Sequence, residues 1–261
     1  MVVNETYGNN NRILLSVKDV TNFVLHVDCE TIYGTSEKEV CTEYAFKESA
    51  NTLSSITFPK GSKLTTIGDC AFSQCSKLPS IDFSNCELLT VIGINAFANC
   101  ISLSNVILPS NLEIIPTKCF ISCSIKSINI LNKVKIIGER SFANNWQLKS
   151  VTITDYSDLQ KIEAGSFYGA IIETIFIPKG VSSLAGAAFE TSKTLRTIVG
   201  NPSNPYYSIM DGVLYSFDKT ILVKFPANHS TSFEIPNSVA TIEFCASVSY
   251  THLTLPTTER V

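Results

Sequence analysis

The hydrophobic positions of this chain recur in two alternating phrases. The first is a short alternation: "LSSITFP" from Leu53, "LPSIDF" from Leu78, "LSNVILP" from Leu103, "LKSVTI" from Leu148, "IETIFIP" from Ile172 and "LRTIV" from Leu195. In "SITF", Ile56 and Phe58 point one way while Ser55 and Thr57 point the other, which is the period of two of a half-buried strand. Proline follows at Pro59, Pro109 and Pro178, where it ends a strand without removing a needed ladder bond.

The second phrase is "IGDCAF" ending at Phe72, repeated as "IGINAF" at Phe97, "IPTKCF" at Phe120, "IGERSF" at Phe142, "IEAGSF" at Phe167 and "LAGAAF" at Phe189, with a weaker copy, "CTEYAF", at Phe46. Its apolar period is longer. Ala71, Cys75 and Leu78 stand at i, i+4 and i+7, the spacing of one helical face, and Phe72 widens that face. Gly68, Gly93 and Gly138 share the slot before it, which suggests a sharp corner with relaxed steric limits. Each unit therefore reads as strand, corner, helical turn and return.

No such unit buries enough apolar surface to offset its own ordering entropy, so neighbours must stack. The expected fold is an α/β repeat solenoid with one parallel β-sheet along its length and short helical turns on the opposite side. The phrases divide the chain into a solenoid over 1–246, with an irregular N-terminal repeat at 13–46, regular repeats at 47–199, an insertion at 200–236 and a resumed repeat at 237–246. In the insertion, Asp211-Gly212 between "YYSIM" and "VLYSF" supplies the positive φ values of a type I′ hairpin turn. A third strand, "TILVKFP", follows a turn around Asp218.

Nine cysteines could suggest metal or redox chemistry. The repeat assigns most of them to packing slots instead. Three residues after the repeated Phe come Cys75, Cys100 and Cys123, then Asn145, Ala170 and Ser192, so that slot accepts any small residue. Cys70 and Cys245 share another slot, Cys119 replaces the repeated Ala, Cys29 a repeated Leu and Cys41 a repeated Ile. Free cysteine serves well as a small hydrophobe. Two other readings stay open: a disulfide between stacked coils, such as Cys75 with Cys100, and zinc at Cys70/Cys75 or Cys119/Cys123, whose spacing approaches that of paired ligands.

The combined signature, L-x-x-I-x-[FIL]-P followed by L-x-x-I-G-x-x-A-F-x-x-C, resembles the BspA-like leucine-rich repeat family of surface proteins in anaerobic bacteria and parasitic protists. The copies recur every 22 to 26 residues, inside the ~20–29-residue period of such repeats. The resemblance covers about residues 20 to 246, and the insertion is similar to one seen in that family. It implies a curved, right-handed solenoid with its sheet on the concave face, and a role in adhesion to host matrix proteins or neighbouring cells at the cell surface. At 247 the pattern demands Phe and finds Ser247. "SVSYTHLTLPTTERV", residues 247–261, matches neither phrase, resembles translated adapter sequence and is set aside as a non-native tail. The natural chain is expected to continue beyond it, leaving a frayed end here.

A formal charge of −3 with 20 scattered Lys and Arg residues provides no basic stripe for phosphate backbones, so nucleic acid is not an expected partner. No apolar run is long enough for a membrane span, and no secretory signal is visible. That absence fits cytosolic residence, unconventional export or a fragment. His26, read as a strand-face residue, His229 and His252 lie beside no nucleophile and carboxylate in the pattern, and no phosphate-binding or nucleophile-elbow motif occurs. No enzyme activity, cofactor or metal is expected. Asn4-Glu5-Thr6 and Asn228-His229-Ser230 are glycosylation sequons.

Binding to a protein is the expected role, and outward strand positions nominate the surface. One row is Thr57, Asp82, Ile107, Asn129, Thr152, Phe176 and Val199. A second, Ser55, Ser80, Asn105, Ser127, Ser150, Thr174 and Thr197, reads as solvated β surface. Apolar Ile107 and Phe176 mark the first row as the contact candidate. Trp146 occupies a variable outer position and either anchors a partner or packs on the adjacent turn. The alternative function is an intracellular scaffold for protein–protein interaction.

Overall fold

The computed structural model describes residues 4–8, 12–35, 41–229 and 233–247. Apart from Ser247, the tail at 247–261 lies outside the described residues. The chain winds into a parallel-strand β-solenoid of about eight turns. Its first row of strands is Asn22–Val24, Ser55–Thr57, Ser80–Asp82, Asn105–Ile107, Ser127–Ile130, Ser150–Ile153, Thr174–Ile177 and Thr197–Gly200. These are the alternating phrases, with Ile81, Val106, Ile128, Val151, Ile175 and Ile198 turned into the core.

The expectation of a single sheet does not hold. A second parallel row runs through Thr31–Ile32, Thr66–Ile67 and Val91–Ile92, then Ile114–Ile115, Ile136–Ile137, Lys161–Ile162 and Ser183–Leu184. At the N-terminal end, Asn4–Gly8 pairs antiparallel with Ile13–Lys18, which opens this second row. Both rows are interrupted, and two of the breaks fall at prolines. In the second row the residue after each strand donates to the preceding coil, as Gly138 does to Ile115 O (2.8 Å) and Glu163 to Ile137 O (3.0 Å). Pro116 holds that slot without an N–H, and the row parts between Val91–Ile92 and Ile114–Ile115. In the first row Pro79 replaces the donor supplied elsewhere by Ser54, Ser104 or Arg196, and pairing stops between Ser55–Thr57 and Ser80–Asp82.

The helical turns are a second correction. Among the described residues the only helices are two single 3₁₀ turns, Lys47–Ser49 and Gly186–Phe189. Ala71, Cys75 and Leu78 do face the core, but a run of tight turns brings them there. Residues two before and two after the repeated Phe adopt left-handed backbone: Cys70 and Gln74 (φ 60° and 61°), Asn95 and Asn99 (56° and 60°), Arg140 and Asn144 (52° and 60°). Alternate N–H groups then point along the solenoid and not back along the chain. Phe97 N donates to Cys119 O (2.9 Å), Phe120 N to Ser141 O (2.8 Å) and Phe142 N to Ser166 O (2.9 Å). An i→i−4 ladder needs those donors, so no helix forms.

Around this third side the phenylalanines stack. Phe46, Phe72, Phe97, Phe120, Phe142, Phe167 and Phe189 are fully buried. Successive ring centroids lie 4.5, 5.0, 5.2, 5.5, 5.7 and 5.7 Å apart, and from Phe72 onward the planes stay within 9° of parallel. Such pairs contribute about 0.5–1.5 kcal/mol each beyond the area they bury. The repeated Gly slot is explained by proximity and not by a left-handed corner: a Cβ on Gly93 would overlap the backbone of Asp69 and Gly68.

The cysteines divide in two. Cys41 and Cys70 form a disulfide across a Cα–Cα distance of 5.6 Å, tying the irregular first coil to the next. This corrects the assignment of both residues to packing slots. Segment 41–46 lies alongside the coil of Phe72, with Phe46 N donating to Ala71 O (3.4 Å). Cys75, Cys86, Cys100, Cys119 and Cys123 are buried thiols; hydrogen bonding to Cys100, followed by burial, pushes the Cys75 thiol well above its usual range, and burial does the same for Cys119 and Cys123. Their packing role holds, and Cys75 stays unbridged to Cys100.

The insertion follows its sequence signals. Tyr207–Met210 and Val213–Ser216 pair antiparallel around Asp211 and Gly212, whose φ values are 49° and 78°. Ile221–Lys224 pairs with the second of these strands and, in parallel, with Thr241–Ile242 of the resumed repeat. A small second core gathers there around Tyr215, Leu222, Ile235 and Val239. Ser247, in the Phe slot, is buried, and Cys245 keeps the left-handed geometry two residues before it (φ 58°).

Candidate binding face

Strand pairing places the nominated residues side by side. Asp82 is in register with Ile107, Asn129 with Thr152, and Phe176 with Val199. All seven point away from the core: Thr57, Asp82, Ile107, Asn129, Thr152 and Val199 are exposed and Phe176 is half-buried. Ile107 and Val199 leave 43% and 41% of their surfaces to solvent. Asp82 is the single charged member, and its carboxylate accepts the Ser84 N–H at 2.8 Å. The neighbouring row is uncharged throughout, with Ser55 Oγ donating to Asn22 Oδ1 at 2.6 Å. A face this poor in charge exerts little long-range electrostatic steering.

Two features were not read from the sequence. Val24, in register with Thr57, extends the row by one coil and is 67% exposed. At the other end the row enters a cleft of about 500 Å³ between Thr197–Gly200 and the insertion hairpin, lined by Ile177, Val199, Ile209 and Phe217 among others. Ile198 N donates to Gly212 O at 2.9 Å, holding the hairpin tip against the strand. The alternation in "NFVLH" marked Val24 without a copy of the second phrase beside it. The cleft depends on where the insertion folds back, which no periodicity reports.

The second strand row also exposes apolar side chains, Val91 and Ile114, beside half-buried Ile136. His26 follows the strand Asn22–Val24 and does not lie in it, and its Nδ1 is 4.0 Å from the Asp28 carboxylate, which Lys63 holds below its usual range. His229 Nε2 lies 2.6 Å from Asp211 O. Among the described residues no three His, Cys, Asp or Glu side chains gather as a metal site, and no helix is long and apolar enough to cross a membrane.

The profile of the BspA type leucine rich repeat region matches six copies, within residues 39–120, 85–196 and 113–234. This chain belongs to that family. Among solved structures, a leucine-rich cell surface protein of Faecalibacterium prausnitzii is 20% identical with a TM-score of 0.74, covering 93% of this chain and 71% of its own. The pneumococcal vaccine antigen PcpA is 19% identical with a TM-score of 0.56, covering 95% and 62%. A leucine-rich repeat protein of Bacteroides ovatus is 16% identical with a TM-score of 0.56, covering 97% and 80%. At these identities the likeness establishes the fold alone. No curated protein matches the chain. As a BspA type repeat, the chain has the architecture of a protein-binding module.

Proposed function

We propose that this protein is a non-catalytic adhesion module of the cell surface that holds host or matrix proteins on the row from Val24 to Val199. The observation that carries this reading is the row itself: eight coils carry one nearly uncharged row of outward side chains in which Ile107, Phe176 and Val199 keep apolar surface in water. The Cys41–Cys70 disulfide favours an oxidising compartment over the intracellular scaffold. The surface role of the Faecalibacterium neighbour, stated for that protein, points the same way.

Solid-phase binding of residues 1–246 to purified matrix proteins tests the proposal, with Ile107→Ser/Phe176→Ser as the face variant and Val91→Ser/Ile114→Ser as a control on the other row. Loss of at least tenfold in affinity in the face variant alone is the expected result. Equal binding by all three proteins would remove the face, and absence of binding to any matrix protein would remove the adhesive role.

A further inference from the structure

Trp146 is the one tryptophan of the chain, and it is 59% exposed on the outer side of the solenoid. It is not loosely placed. Gly169 of the next coil has φ +75°, and a Cβ built there would lie 2.6 Å from Cζ3, 2.9 Å from Cη2 and 3.0 Å from Cε3 of the indole. Three consecutive ring atoms at near-equal distance mean that Gly169 meets the face of the ring and not its edge. One face of Trp146 is thereby seated on backbone. The Tyr168 ring holds its side, with centroids 6.4 Å apart and planes at 72°.

Tyr168 also lines a shallow concavity of about 420 Å³ with Arg140, Ala143, Asn144, Ile121 and Glu190. The chemistry of this lining is mixed in a particular way. Arg140 offers only donors, Glu190 only acceptors, and Asn144 both, with its Nδ2 directed to Ser122 Oγ at 3.3 Å. Arg140 is paired with Glu139, 4.0 Å from its Nε, and shares the lining with Glu190, so the concavity offers no strong charge of one sign to select an ionic ligand. An enclosed apolar ligand has no enclosure here. What remains is a neutral molecule with one flat C–H face for the indole and several hydroxyls needing donors and acceptors together.

We infer that Trp146, Tyr168 and the concavity of Arg140, Asn144 and Glu190 form a carbohydrate-binding site, taking a neutral oligosaccharide with one pyranose ring on the indole and the next over the concavity. The site lies on turns of the outer side, away from the strand row proposed to hold a protein. It stands or falls independently of that proposal.

Because Trp146 is the sole tryptophan, its emission reports this site directly. The probes are neutral tetrasaccharides of glucose, mannose, galactose and N-acetylglucosamine, titrated into the full chain, with a proline-rich peptide as the competing class. A saturable change in emission with at least one sugar, absent with the peptide, is expected. Retention on beads carrying that sugar should fall about two- to tenfold in Trp146→Ala, the range of one aromatic stacking contact. Gly169→Ala, which displaces the ring while leaving tryptophan present, should weaken retention without loss of the folded melting transition. No emission change with any of the four sugars overturns the inference. So does a change with the peptide only, or undiminished retention in Trp146→Ala.

Discussion

Asn145 and Ala170 fill the same slot in consecutive coils, and the first residue is what permits the second. The slot three residues after each core Phe carries a small donor that satisfies the Phe carbonyl of the coil before: Cys100 Sγ to Phe72 O (3.1 Å), Cys123 Sγ to Phe97 O (3.2 Å) and Ser192 Oγ to Phe167 O (3.0 Å). Asn145 Nδ2 reaches two such carbonyls, Phe120 O at 2.8 Å and Phe142 O at 2.9 Å, while its Oδ1 accepts the Ile125 N–H at 3.0 Å. With Phe142 O already bonded, Ala170 needs no donor.

Replacing Asn145 by Ala strands three buried backbone groups, each costing about 1–3 kcal/mol. Urea unfolding should show a loss of about 3 kcal/mol or more. Asn145→Ser restores the bond to Phe120 O but leaves Phe142 O bare. Adding Ala170→Ser should then recover stability, although Ala170→Ser alone brings none. Additive effects in this double-mutant cycle would refute the relay.

The Cys41–Cys70 bridge spans 29 residues, and closing such a loop restrains the unfolded chain by about 3–4 kcal/mol. Reduction, or Cys41→Ser/Cys70→Ser, should lower the denaturation midpoint and expose the first coil to protease before the rest. Titration of the denatured protein should find two more thiols after reduction than before. An unchanged count would show the bridge absent and would revive the intracellular reading.

Alkaline pH should destabilise the fold. Burial holds the Cys86 thiol up to about 11 against a usual value of 9.0, and raises those of Cys119 and Cys123 well above it. Tyr44 and Tyr215 are pushed by burial to about 12. Groups whose folded pKa is raised stabilise below the unfolded value and lose that contribution as pH climbs, so stability should fall from about pH 9 upward. Lys224 works in the opposite sense. Burial pulls it down to about 8 from 10.5, although its Nζ donates to Cys245 O at 2.7 Å. Between those values the unfolded chain holds the proton that the folded one has released, so Lys224 adds stability as pH rises through that range. Lys224→Met should stabilise the protein at pH 7 and steepen the alkaline decline. Denaturant midpoints across pH 7–11 decide both points.

The repeated Phe, the small slot after it and the outward strand residues were legible because each is a column of like side chains at a fixed interval. The hairpin was legible because Asp211-Gly212 has one favoured turn. The helical turn was misread because Ala71, Cys75 and Leu78 satisfy i, i+4, i+7 equally well through two left-handed residues, and those positions carry Gln74, Asn99, Lys118 and Arg140 as readily as glycine. The second strand row hid in two-residue strands such as Thr66–Ile67, too short to alternate. The disulfide hid because Cys41 sits in the irregular first coil, where the register to Cys70 cannot be counted.

A truncation in the middle of the spine should be felt in both directions. Phe120→Ala removes a ring between Phe97 and Phe142, and its cost should be about 3–5 kcal/mol. Circular dichroism melting of the variant against the parent protein checks it. A shift equal to that of an exposed residue such as Tyr156→Ala would mean that the rings do not support one another.

The most direct measurement is native-state hydrogen exchange at the amides of Phe72, Phe97, Phe120, Phe142 and Phe167, each of which donates to the following coil. If successive coils share one core, these amides exchange with a common free energy equal to that of global unfolding, and Phe120→Ala lowers all of them together. Independent exchange of single coils, with the effect of Phe120→Ala confined to its own turn, would contradict the account.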